Sequence, residues 1–412
     1  MKNIKSQVKL SVLVLALISL SACNATAKGG YYYNGKSYDY EYTPSAGAEE
    51  PLLNSDNKGE TQSSKPTIRP GQLTCSAVND NNKYDYWLKL NGFKDQDKNA
   101  EFAKYRNNFG GYFNTYNRIK LNIKNGNDVS VRIKNETNQF YVDNTETAYL
   151  FPKMYKEEYE VEINYLDKNN ERATYTATVK DNDVIDLEND FTLSSKLEIM
   201  FVVDSTGSMS DEMNYIKSEI IDVIGKVKTR NPDSLINLAM MVYRDNGDSY
   251  VTKYNDFTAD IEAQQAWFAK QTASGGGDLP EAVEVAMKEA VSKQWSENST
   301  KLIIHVADAP SHDKDVEEWA NQAYNAASKG IKIITVSGSD TSKQAEYLFR
   351  SQSLITGGQY VFLTDDSGIG NGHIEASTEE PLVVEYLNDC LVRLINGYAT
   401  GDFREPVHWT QA

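Results

Sequence analysis

Leu197-Glu198-Ile199-Met200-Phe201-Val202-Val203-Asp204-Ser205-Thr206-Gly207-Ser208-Met209 is the stretch that decides the fold. Leu197 to Val203 is apolar apart from Glu198, as in a strand covered on both faces. The run ends at an acid, a polar turn follows, and Ser210 to Lys228 then takes up helical spacing. Met213, Ile216, Ile220, Val223, Ile224 and Val227 form one stripe, which predicts a helix with a buried face. Ser210 reads as its N-cap, with Asp211 and Glu212 in the first turn.

The same alternation continues outward. Leu235 to Tyr243 is a second strand and Tyr250 to Thr258 a short edge strand. Ala259 to Gln271 and Leu279 to Lys293 read as helices, Lys301 to Val306 as a strand, and Asp315 to Lys329 as a helix closed by Gly330. Ile331 to Val336, Ser342 to Ile355, Tyr360 to Leu363 and Leu382 to Asn396 repeat strand and helix. Residues 194–400 are therefore expected to form an α/β doubly wound parallel sheet, with 401–412 as a tail. Ser367-Gly368-Ile369-Gly370-Asn371-Gly372 opens no clear helix and reads as a loop.

Upstream, residues 67–193 read as strands. Tyr159, Val161, Ile163 and Tyr165 alternate with polar residues, as do Tyr175, Ala177 and Val179. Asn125-Gly126 lies between two alternating runs, Ile119 to Ile123 and Val129 to Ile133, which predicts a hairpin. Several short strands with such turns suggest a smaller β-sandwich domain. It shows no catalytic constellation and serves as a spacer or a binder.

The first 22 residues read as an export signal. Lys2, Lys5 and Lys9 precede the 11-residue run Leu10 to Leu20, which is too short to span a bilayer. Leu20-Ser21-Ala22-Cys23 resembles the lipobox of bacterial lipoproteins, which implies lipidation at Cys23 and anchoring to the cell membrane or outer membrane. Residues 23–66 lack aliphatic periodicity and read as a lipidated, disordered tether. The chain of 412 residues carries 59 acids against 42 bases, a net charge of −17, which argues against nucleic acid as a partner. Besides Cys23 there are Cys75 and Cys390, readable either as a disulfide or as buried thiols.

Three loops carry the chemistry. Asp204-Ser205-Thr206-Gly207-Ser208 resembles the DxSxS metal-site (MIDAS) motif of von Willebrand factor A (vWA) domains, whose fold is Rossmann-like. Gly275-Gly276-Gly277-Asp278-Leu279-Pro280-Glu281 resembles the second metal loop of one subgroup, and Asp308 in Asp308-Ala309-Pro310-Ser311-His312 the third. Tyr243-Arg244-Asp245 also recurs in that subgroup. The metal ligands implied are Asp204, Thr206, Ser208, Asp278 and Asp308. Hydroxyl and carboxylate donors favour Mg²⁺, with Mn²⁺ or Ca²⁺ as alternatives. Many A domains offer a threonine where this chain has Asp278. The added carboxylate tightens a metal and weakens attraction for a second anion. Asp245 and His312 are expected near the metal loops, supporting them rather than ligating.

The resemblance implies a membrane-anchored lipoprotein that binds a protein partner through a divalent cation and the partner's Asp or Glu. The alternative is a structural or assembly lipoprotein of the envelope that uses metal only for folding. A hydrolase built on Ser205, His312 and Asp313 is disfavoured, since neither a G-x-S-x-G elbow nor an H-E-x-x-H helix is present.

Overall fold

The computed structural model describes residues 27–33, 36–42, 68–93, 96–189 and 191–412. Cys23 and the segment expected to be an export signal lie outside these residues. The chain divides into Met1–Lys65 and Pro66–Ala412. In the first unit, β1 (Ala27–Tyr33) pairs antiparallel with β2 (Lys36–Tyr42), Tyr31 opposite Tyr38. The segment read as a disordered tether thus contains a two-stranded ladder. Its tyrosines are strand-favouring residues, which an aliphatic count overlooks.

The second unit begins with β3 (Thr74–Val78), α1 (Tyr84–Leu90) and α2 (Ala103–Phe109). There follow β4 (Ile119–Lys124), β5 (Asn127–Ile133), β6 (Gln139–Tyr141), β7 (Thr147–Leu150), β8 (Tyr159–Leu166), β9 (Arg172–Val179) and β10 (Val184–Asp186). The α/β part comprises β11 (Lys196–Asp204), α3 (Met213–Arg230), β12 (Leu235–Tyr243), β13 (Thr252–Thr258), α4 (Ile261–Ala269) and α5 (Val283–Ser292). It continues through β14 (Thr300–Ala307), α6 (Val316–Ser328), β15 (Ile331–Ser337), α7 (Lys343–Thr356), β16 (Tyr360–Leu363), β17 (Glu385–Tyr386) and α8 (Leu387–Thr400).

Eight strands make the main sheet, in the order β13-β12-β11-β14-β15-β16-β3-β17. The five strands from β12 to β16 are parallel. β13 and β3 run antiparallel to their neighbours, so the sheet is mixed rather than wholly parallel. Strand β11 sits centrally because its apolar run serves both faces. Leu197, Ile199, Phe201 and Val203 pack with α3, α4 and α8. Met200 and Val202 belong to the core on the opposite face, with α5, α6 and α7. The connections leave β11 in opposite directions, to β12 on one side and β14 on the other. Its carboxyl end is therefore the switch point, where open α/β sheets bind ligands.

Residues 67–193 differ from an independent sandwich in three ways. β3 joins the main sheet, with Cys75 opposite Leu363. The backbone N–H groups of Gly71, Gln72 and Leu73 donate to the buried Glu219 carboxylate on α3, at 2.8, 2.8 and 3.1 Å. Residues 84–109 include two helices; Trp87 of α1 and Phe102, just before α2, pack on Tyr347 of α7. Asn125-Gly126 does not close a hairpin. It carries the chain from the sheet β10-β4-β7 into the sheet β6-β5-β8-β9. Ile119, Leu121 and Ile123 face the same core as Val129, Val131 and Ile133 from different sheets, so alternation alone does not assign the pairing. The strands β8 and β9 do pair antiparallel as expected. Both small sheets share their core with α5, α6 and α7.

Cys75 and Cys390 are free, fully buried thiols in contact, and burial pushes the Cys75 thiol well up. The tail returns to the fold: Trp409 N–H donates to Val384 O at 2.9 Å. Among the described residues no helix is long and apolar enough to cross a membrane.

Candidate metal centre

Strand β11 delivers Asp204 at the switch point, fully buried beside Tyr243 of β12. Asp204 Oδ1 accepts from Thr206 N–H at 2.9 Å and from Thr206 Oγ1 at 2.7 Å. Thr206 Oγ1 lies 3.2 Å from Ser208 Oγ, and the Ser208 hydroxyl in turn reaches Asp308 just beyond β14. The turn thus curls its hydroxyls back over its own carboxylate.

The glycine loop closes the site from above. Gly207 N–H donates to Gly275 O and Ser274 N–H to Ser205 O, both at 2.9 Å. Gly275 and Gly276 have φ of 83° and 74°. A Cβ on Gly276 would lie 2.9 Å from Glu281 Oε1, so this position needs glycine for its conformation and for the space.

Of the expected ligands, the structure brings Asp204, Thr206, Ser208 and Asp308 together. Asp278 is a correction. It is exposed, and its carboxylate groups with Asp245 and His312. Glu281 stands beside Thr206 instead. The reason is a contact between two loops: Glu281 N–H donates to Pro310 O at 2.9 Å, and Glu281 forms a single β-bridge with Ser311. Helix α5 consequently starts at Val283, four residues later than the periodicity suggests, and leaves Glu281 in the loop. Ser210 is a second correction. It ends a short 3-10 turn, and α3 begins at Met213 without a side-chain cap.

The three carboxylates are uncompensated. Asp204 Oδ2, Asp308 Oδ1 and Glu281 Oε2 are buried with no hydrogen-bond partner. Burial, then the Asp308 charge, pushes the Asp204 carboxyl up to about 8. Burial and the neighbouring Asp204, Asp245 and Asp308 push Glu281 up to about 9, and burial brings Asp308 to about 6. Buried polar atoms are ordinarily satisfied, and three orphan oxygens at one switch point fit a divalent cation with oxygen ligands.

Other side chains hold the loops. Ser205 Oγ donates to Tyr243 O at 2.8 Å and lies 3.0 Å from Tyr250 Oη. Arg244 spans Ser205 O and Thr272 O at 3.1 and 3.0 Å. His373 is a residue that sequence reasoning missed. It lies 2.6 Å from Glu212 Oε1, while Asn371 N–H donates to Asp211 at 2.9 Å. These contacts fasten the 367–372 loop to the start of α3. A lone histidine after a glycine-rich stretch carries no sequence signal for that role.

Residues 198–369 match the von Willebrand factor type A domain family, so the chain contains a vWA domain. An alpha-protein kinase, vwkA, of Dictyostelium discoideum is 28% identical over 173 residues, 42% of this chain and 28% of that protein. The chain thus spans about a quarter of that curated relative. The conserved hypothetical protein BatB of Bacteroides thetaiotaomicron resembles 49% of this chain over 98% of its own, at 14% identity and a TM-score of 0.36. The pilus adhesin SpaC of Lactobacillus rhamnosus GG resembles 60% of this chain over 32% of its own, at 12% identity and a TM-score of 0.35.

Proposed function

We propose that this chain is an exported lipoprotein, anchored through Cys23, whose vWA domain binds a divalent cation and through it a carboxylate on a protein partner. The observation that carries the reading is the set of three orphan carboxylate oxygens at the switch point. Asp204, Thr206, Ser208 and Asp308 would hold the ion, with Glu281 alongside. A bound Mg²⁺ supplies positive charge and an exchangeable position for an outside carboxylate. Thr206 and Ser208 add no charge, so they leave that attraction undiminished.

Glu281 favours the second reading, in which the ion only supports folding. Three carboxylates around one divalent cation leave a net negative charge, which opposes an acidic partner. Catalysis has less support. Ser205 Oγ is committed to Tyr243 O, and His312 faces Asp245 rather than Ser205. A nucleophile without a base in reach lacks the first requirement of a hydrolase.

Calorimetric titration of Mg²⁺ into the full chain, with Asp204→Ala beside it, tests the site. Capture of an acidic partner that is lost on chelation, while circular dichroism is unchanged, supports the adhesive reading. Unfolding on chelation favours the structural one. Glu281→Gln separates them further: it should weaken Mg²⁺ yet strengthen capture. Membrane partitioning that persists in Cys23→Ser would count against the lipid anchor.

A further inference from the structure

Asp245, Asp278 and His312 come from three different loops, after β12, before α5 and after β14. One ligand atom of each lies within 4.8 Å of those of the other two. His312 Nε2 is 3.0 Å from Asp245 Oδ1. Asp245 is buried, His312 half-buried and Asp278 open to solvent. The cluster therefore has a fixed floor and an accessible side.

A second observation points the same way. Glu284, at 6% exposure, has an Oε2 with no hydrogen-bond partner. Asp315, His312 and Asp245 are the charged groups acting on its carboxyl. Two carboxylates thus adjoin one imidazole, and Glu284 acts on them electrostatically from beside the cluster.

We propose that Asp245, Asp278 and His312 form a second divalent-cation site beside the Asp204 loop, selective for ions that accept an imidazole nitrogen. The chemistry separates the two sites. The first offers only oxygen, which suits Mg²⁺ or Ca²⁺. The second offers one nitrogen and two carboxylates, a set suited to Mn²⁺, Co²⁺ or Zn²⁺, with positions left for water. A lone His–Asp contact would account for two of the three residues. It would not account for a second carboxylate arriving from a separate loop. The inference stands whether or not the first site holds a metal.

The test is Co²⁺ titration of the full chain in saturating Mg²⁺, which occupies an all-oxygen site and leaves the mixed one to Co²⁺. One equivalent should bind. Asp278→Asn, a substitution at an exposed loop position, should weaken Co²⁺ by about tenfold or more, and His312→Gln likewise. Substoichiometric Mn²⁺ should broaden the imidazole proton resonances of His312, assigned among the 4 histidines by their absence in His312→Gln. Asp204→Ala should retain the Co²⁺ equivalent. If that variant does not fold, the wild-type titration in saturating Mg²⁺ carries the same information. Absence of Co²⁺ binding overturns the proposal. So does binding that Asp278→Asn and His312→Gln leave unchanged, or that a folded Asp204→Ala abolishes.

Discussion

Among the described residues, two groups of buried charge are handled in opposite ways. Asp80, Glu346 and Arg350 join the N-terminal region to α7. Arg350 Nε and Nη2 bind Asp80 at 2.9 and 2.6 Å, and Nη1 binds Glu346 at 2.9 Å. Burial pulls the guanidinium down, but Asp80 and Glu346 more than offset it and hold it above its ordinary value. Asp204, Glu281 and Asp308 contain no such cation, and each keeps an oxygen without a partner. Both groups lose hydration on folding. Only the first carries its own compensation. The second needs protons or a metal to offset its charge.

Removing the compensation should have the largest effect. Arg350→Met leaves buried Asp80 without its cation and Glu346 with Lys343 alone, and should cost about 3–5 kcal/mol in urea unfolding. A loss below about 1 kcal/mol would mean that water relieves Asp80 and Glu346, and the contrast would collapse.

The converse change comes next. Asp204→Ala removes a like charge, so metal-free stability should hold or rise. In wild type, Mg²⁺ at about a hundred times its Kd should add about 2.7 kcal/mol. The variant should show no such gain in thermal melts. Equal gains in both proteins would place the cation elsewhere.

The pH dependence should follow the direction of the shifts. Asp204, Glu281 and Asp308 are all raised, so the metal-free folded state holds more protons than the unfolded chain. Their contribution should be greatest near about pH 4 and decline as pH rises toward about 8 to 9, the range of the raised values. Saturating Mg²⁺ should flatten that slope, because the ion replaces the protons. Urea midpoints measured across this range, with and without Mg²⁺, give the comparison. A rise of metal-free stability with pH would contradict it.

The smallest effect sharpens the boundary of the site. Asp278→Asn should change global stability by no more than about 0.5 kcal/mol, as for an exposed loop position. Mg²⁺ affinity should change as little in the same calorimetric experiment. A large loss would return Asp278 to the first site.

Much of this was legible in the chain. The run Leu197–Val203 predicts a central strand because apolar residues on both faces suit only a covered position. Asp204, Thr206 and Ser208 follow, since a polar turn ending that strand must lie at the carboxyl edge of the sheet. Asp278 and Glu281 were harder. Both are acids in one short loop, and the choice rests on the Glu281–Pro310 hydrogen bond, which joins segments distant in sequence. Thr74–Val78 was illegible for a similar reason: two polar residues, a cysteine and an alanine give no periodic signal, and its pairing with β16 is long-range.

The sequence by itself determined the order of the main strands and helices from β11 to α8, the covered position of β11 and the acids that its loops can present. These follow from periodicity and from where polarity interrupts it, which are local properties. Tertiary structure decided which acids meet. It put Glu281 rather than Asp278 beside Thr206, drew Asp278 to Asp245 and His312, fastened His373 to Glu212, and paired Arg350 with Asp80. Each of these joins residues from separate segments, and burial then fixes which charges find a partner and which do not.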